Sequence, residues 1–125
     1  MITGLYGSLL ALFYIKLSFE IITVRKREKI GLGDGGNSQL TKAIRAHANF
    51  IEYTPFAVLL LFILETQNFN DIAIHIAGLS FFLARGIHWQ ALKRENLRLR
   101  VIGMALTFLV LLVLSIANIV LYLIK

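Results

Sequence analysis

No cysteine occurs among the 125 residues, which removes disulfides, thiolate metal sites and cysteine nucleophiles together and leaves the redox compartment undetermined. Any thiol chemistry must therefore use a thiol that the chain does not own. Proline occurs once, so a helix is interrupted in at most one place by that residue. Charge is also scarce, at 16% of side chains, against about 25% in a typical soluble domain. What fills the chain instead is apolar, 58% of it. A bilayer core of about 30 Å takes roughly 20 apolar residues per helical crossing, and the hydrophobic runs supply four. They predict an all-α, integral membrane four-helix bundle of a single domain over 1–125, with helices at about 1–24, 40–66, 72–92 and 99–124.

The first run has no charge before Lys16 and lacks the basic start and cleavage site of a signal peptide, so it reads as a crossing. Lys16 and Glu20 stand four apart and are expected to pair on one helix face. The segment Gly31-Leu32-Gly33-Asp34-Gly35-Gly36 reads as a turning loop. It follows no strand and has the wrong spacing for a dinucleotide fingerprint. Pro55 lies inside the second helix and predicts a kink beside Glu52. The formal charge of +6 raises the question of nucleic acid, but the basic residues flank hydrophobic segments, and no nucleic acid partner is expected. Eleven of the thirteen lie around the first and third loops. The positive-inside rule then places those loops in the cytosol and both termini outward.

The informative stretch is Arg45-Ala-His-Ala-Asn-Phe-Ile-Glu-Tyr53. On a helix Arg45, Asn49, Glu52 and Tyr53 form one stripe of a cation, an amide, a carboxylate and a phenol. Ionisable groups at membrane depth cost several kcal/mol or more unless they pair or line a wet cavity. Two readings remain open on spacing alone. One is an internal polar clamp within the bundle or between subunits, and the other is a site for a small zwitterionic peptide, whose carboxylates and ammonium these groups complement.

Read through Thr54 and Pro55, the same stretch resembles the second-helix signature of the MAPEG family, the membrane-associated proteins of eicosanoid and glutathione metabolism: an arginine, an asparagine four later and a glutamate three after that. The likeness is most specific over residues 41–56 and extends to chain length, four hydrophobic segments, a basic first loop, the arginine and aromatic run at 85–90 and an arginine-bearing start to the last helix. The glycine-rich loop is closer to the bacterial branch, which implies a bacterial inner membrane.

The resemblance implies a homotrimer that binds glutathione as co-substrate between adjacent subunits, near the cytosolic helix ends. By motif position Arg45, His47, Asn49, Glu52 and Tyr53 contact the tripeptide, Arg25 or Arg27 holds one of its carboxylates, and Arg85 and His88 align with binding positions on the third helix. Arg98, with Arg100 a close second, aligns with the arginine that stabilises the thiolate. The implied activity is that of a glutathione transferase or peroxidase acting on a lipophilic small molecule from the bilayer. His88 and Leu92 replace tyrosines of better-known relatives, so a non-catalytic member with a structural or regulatory polar cluster is the alternative.

Other features read as structural. His47 lies about half a turn from the Arg45 stripe and is expected to reach the same ligand only across a subunit boundary. His75 is read as solitary near the outer end of the third helix, and Phe81, Phe82 and Trp89 as packing or interface-belt aromatics. Trp89 is expected beside the Arg45 site. The three histidines form no metal motif, and no metal is expected. Glu20, paired with Lys16 near the cytosolic end, makes a multidrug exporter with a deep carboxylate the less favoured reading.

Overall fold

The computed structural model describes residues 1–124. Four helices follow one another: α1 (Ile2–Glu28), α2 (Ser38–Thr66), α3 (Asp71–Lys93) and α4 (Leu97–Ile124). At 1.5 Å per residue each runs roughly 35 to 44 Å, enough to cross the hydrocarbon and reach the headgroups. All four are long and apolar enough to span a membrane. α1 and α4 each pack on α2 and α3 and lie on opposite flanks of that central pair.

The helices begin where short polar side chains satisfy orphan N–H groups. Asn37 Oδ1 accepts from Leu40 N at 2.9 Å, Asn70 Oδ1 from Ala73 N at 3.0 Å and Asn96 Oδ1 from Leu99 N at 3.0 Å. For α1 the acceptor comes from another helix, since the Glu65 carboxylate receives the N–H groups of Ile2 and Thr3. α1 continues a turn beyond the expected end at residue 24. Arg25, Lys26 and Arg27 occupy its last turn, where cations complement the negative end of the helix dipole, and Lys29 ends it with a left-handed φ of 56°. α4 likewise starts two residues early, at the asparagine cap. α2 stays continuous through Pro55. The lost donor there is a local defect, flanked by the Thr54 hydroxyl, which donates to the Phe50 carbonyl at 2.6 Å.

Leu10, Leu17, Phe50, Leu61, Leu64, Ile74, Phe81, Val110 and Leu114 form the core between the helices. The outside is apolar as well: Leu12, Phe19, Phe56, Phe62, Ile76, Leu83, Phe108 and Leu112 are all exposed. An exposed apolar area of that extent suits lipid and not water. The protein is an all-helical integral membrane protein.

Two glycines set helix separation. A Cβ on Gly103 of α4 would stand 2.9 Å from the His88 backbone nitrogen of α3, and one on Gly78 of α3 would stand 2.4 Å from the Tyr6 ring of α1. Both are buried. Small residues at such points let backbones approach closely, which is the main source of helix association in a bilayer.

Candidate functional site

The polar stripe of α2 lies on the border between its packed face and its outside. Leu40, Ala46, Phe50, Thr54 and Ala57 define the buried face. At about 100° per residue, Asn49 and Tyr53 fall on the near edge of that face, and Arg45 and Glu52 fall beyond it. Accordingly Asn49 and Tyr53 are half-buried, and Arg45 and Glu52 are exposed with no ion-pair partner among the described residues.

Beneath the stripe lies Arg85 of α3, only 1% exposed. Its Nη2 donates to Asn49 Oδ1 at 2.5 Å and its Nη1 to Thr107 Oγ1 of α4 at 3.2 Å. Thr107 in turn donates to the Gly103 carbonyl at 2.8 Å. One guanidinium thus joins three helices through two neutral acceptors, and its Nε has no partner. Its Cζ stands 5.8 Å from the Tyr53 ring centroid, and that ring meets Phe108 edge-on at 5.5 Å. Glu52 is within electrostatic range of Arg85. Burying a guanidinium against neutral acceptors is costly unless a counter-charge lies close, and Glu52 is the carboxylate whose charge acts on it.

His88 is one turn along α3, 2% exposed, wedged where Gly103 lets α4 approach and within electrostatic range of Arg85 and Arg100. The two arginines at the start of α4 diverge. Arg100 lines a cleft of about 280 Å³ with Lys42, Leu92, Glu95 and Leu97, whereas Arg98 lies about 160° further round the helix and is not part of that cleft's lining; both side chains are exposed. Lys42 is paired with Glu95 across this opening, and that bond holds the Glu95 carboxyl below its ordinary value.

The structure therefore gathers Arg45, Asn49, Glu52, Tyr53, Arg85, His88 and Arg100 along the α2, α3 and α4 side. The remaining expected residues lie elsewhere in the protomer. His47 Nε2 is 3.2 Å from Ser18 Oγ of α1, and its ring lies 4.8 Å from that of Tyr14. Arg25 Nη1 donates to the Gly33 carbonyl at 2.8 Å, which pins the first loop. Arg27 bonds Glu28 at 2.6 Å and Gln39 at 2.5 Å.

Trp89 also departs from its expected place beside Arg45. Its indole N–H donates to Glu20 of α1 at 3.1 Å, on the other flank of α3. His75 is not solitary either, since its Nδ1 lies 3.1 Å from the Tyr6 hydroxyl. Thr107 was missing from the expected site. Its signal is a hydroxyl four residues after a glycine in an otherwise greasy run, which places two small residues on one helix stripe.

A family comparison decides what this arrangement belongs to, because the MAPEG family model matches residues 3–120. The chain belongs to the MAPEG family. Two relatives support it at full length. Both are described as inner membrane protein YecN, one from Escherichia coli K12 and one from E. coli O6:H1 strain CFT073. Each is 35% identical over 118 residues, covering 94% of this chain and 90% of the relative. Of the Arg45, Asn49 and Glu52 stripe, Arg45 and Glu52 are exposed on the single protomer.

Proposed function

We propose that this MAPEG protein binds glutathione at the α2, α3 and α4 face and presents its thiolate to lipophilic electrophiles, as a transferase or peroxidase of the bacterial inner membrane. The observation that carries this reading is the exposure of Arg45 and Glu52 at bilayer depth beside a buried Arg85 whose Nε has no partner. Arg45 so placed needs a counter-charge that no ion pair of the protomer supplies, and Glu52 has only the charge of buried Arg85 within range. A zwitterionic tripeptide supplies both signs. A homotrimer also meets the requirement, because it can bring the α1 flank of one protomer, with Arg25, Arg27 and His47, against the α2–α4 flank of the next. The inner-membrane description of the relatives supports the location, and the basic first and third loops support placing this end of the bundle in the cytosol.

In the transferase reaction the thiolate sulfur forms a carbon–sulfur bond while the electrophile loses its leaving group or opens its double bond. A guanidinium near the sulfur lowers the thiol pKa by favouring the anion. Arg100, facing the cleft and near His88, suits that role better than Arg98.

Calorimetric titration of glutathione into the detergent-solubilised protein tests the binding. Saturable heat is expected, with the affinity reduced about tenfold or more in Arg45→Ala, the size of a lost charged hydrogen bond. An absence of saturable heat in folded protein overturns the reading. It would leave the non-catalytic one, which the Asn49, Arg85 and Thr107 bonds favour: a polar clamp that holds three helices together.

A further inference from the structure

A second cavity lies on the opposite flank, between α1, α2 and α3, at the end of the bundle that carries the basic loops. Its volume is about 730 Å³, within the range of sites that take a small molecule or a headgroup. Four cations, Lys16, Arg27, Lys42 and Lys93, line it against a single carboxylate, Glu20, with Trp89 as an aromatic wall. Lys16 Nζ bonds Glu20 at 2.9 Å and sits 3.3 Å from the Trp89 ring centroid. Lys93 Nζ is 3.4 Å from the same carboxylate oxygen and 4.7 Å from the same ring.

Glu20 is therefore shared by two ammonium groups and the indole N–H, while Arg27 pairs with Glu28 and Lys42 with Glu95, so the four cations meet three carboxylates and a positive charge stays in excess. The three donors also commit Glu20 to one place, which disfavours a free carrier carboxylate. Lys16 and Arg27 are eleven residues apart on α1, so the basic lining extends over roughly 16 Å along the membrane normal. Between them the wall turns apolar with Phe19, Val24, Ala46 and Leu92. Outside the cavity α1 continues as an exposed apolar face through Leu12, Ile15 and Ile22.

We infer that this cavity is a binding site for an acidic glycerophospholipid, with the headgroup phosphate among Arg27, Lys42, Lys93 and Lys16 and an acyl chain laid along the outer face of α1. Charge complementarity identifies the headgroup class, because basic pockets between membrane helices near the interface select anionic lipids. The continuous apolar face beside the cavity identifies the source as a lipid and not a soluble phosphate. Cation–aromatic contacts keep Lys16 and Lys93 fixed above Trp89 before the lipid arrives, which lowers the ordering cost of binding. The cavity borders the surroundings proposed for glutathione through Arg27 and Lys42 but uses none of Arg45, Glu52, Arg85 and Arg100, so lipid binding here is tested separately from glutathione binding.

Trp89 is the only tryptophan and lines the cavity, so it reports occupancy directly. The protein in neutral detergent is titrated with phosphatidylglycerol or phosphatidylcholine carrying brominated acyl chains, and quenching of Trp89 is followed. Phosphatidylglycerol is expected to quench at the lower mole fraction. The preference should fall by at least about fivefold in R27Q/K42Q, since one basic residue near an anionic headgroup is worth about that factor. This variant leaves the Glu20, Lys16, Lys93 and Trp89 contacts intact, and unchanged quenching by phosphatidylcholine verifies that Trp89 remains in place. K16R/K93R should keep the preference. Equal quenching by the two lipids overturns the proposal, as does a preference that survives undiminished in both R27Q/K42Q and K16Q/K93Q. Displacement of the brominated phosphatidylglycerol by millimolar glycerol phosphate also overturns it, because the ligand is then a soluble anion.

Discussion

Arg85 Nη2 donates to Asn49 Oδ1 at 2.5 Å inside the bundle, so Asn49 of α2 holds a buried cation of α3 and is not directed at open solvent. Removing the amide strands a charged donor. Asn49→Ala is expected to destabilise the protein by about 2 kcal/mol, measured as the shift in reversible unfolding in mixed detergent. The double variant N49L/R85M should recover part of that loss, because an apolar pair replaces a half-broken polar one. A double variant no more stable than Asn49→Ala would show that the clamp does not dominate the effect.

The same region depends on how closely α3 and α4 approach. At Gly103 a Cβ meets the His88 backbone at 2.9 to 3.0 Å, and neither helix backbone can yield without moving its neighbours. Gly103→Ala is expected to lower the unfolding midpoint, and Gly103→Val to lower it further, with costs of about 1 to 3 kcal/mol from overpacking. The measurable companion is a weaker Arg85 clamp: adding Thr107→Val to Gly103→Val should cost much less than Thr107→Val alone. Equal costs in the two backgrounds would mean that α4 tolerates the side chain without shifting.

The four crossings and the α2 stripe were legible because each depends on local periodicity, which hydropathy and a spacing of 3.6 residues expose directly. The Lys16–Glu20 pair was legible for the same reason, as an i,i+4 neighbour. What local periodicity does not carry is which neighbour a helix face meets. Hence Trp89 was expected beside Arg45 and instead meets Glu20, which lies 69 residues away in the chain. His75 was read as solitary because nothing in α3 shows that Tyr6 packs against it. Helix ends were misplaced by a turn or less where a cap overruled the hydropathy. Val24 ends the greasy run, but three cations and a left-handed lysine extend α1 beyond it.

The first loop carries a pH-sensitive turn. The Gly36 N–H, at 3.0 Å, and the Thr41 hydroxyl, at 2.8 Å, both donate to the Asp34 carboxylate, and these bonds hold its pKa below the ordinary 3.8. A carboxyl depressed on folding contributes its stabilisation fully above the unfolded value and loses it as pH falls through the folded one. Amide exchange over residues 31–41, corrected for intrinsic rates, should therefore show protection at pH 6 that is lost towards pH 2. Asp34→Ala at pH 6 should exchange like the wild-type protein at the acid end. Protection that is flat with pH, or unaffected by the substitution, would remove Asp34 from the turn.

The two arginines that open α4 give the most direct chemical test of the proposed glutathione site. Arg100 faces the cleft beside Glu95 and Leu92 and is within electrostatic range of His88, whereas Arg98, about 160° away on the helix, is not part of that cleft's lining. A guanidinium lowers a thiol pKa only from within a few ångströms, since its field at greater distance is screened. Glutathione bound at neutral pH should therefore show ultraviolet thiolate absorbance that is lost in Arg100→Ala and retained in Arg98→Ala. Its apparent thiol pKa should rise by about 1 to 3 units on loss of the neighbouring cation. Arg100→Lys should restore part of the absorbance by keeping the charge without the planar fork. The opposite pattern, loss only in Arg98→Ala, would mean that the sulfur lies at the outer flank of α4, where a neighbouring subunit has to complete the site.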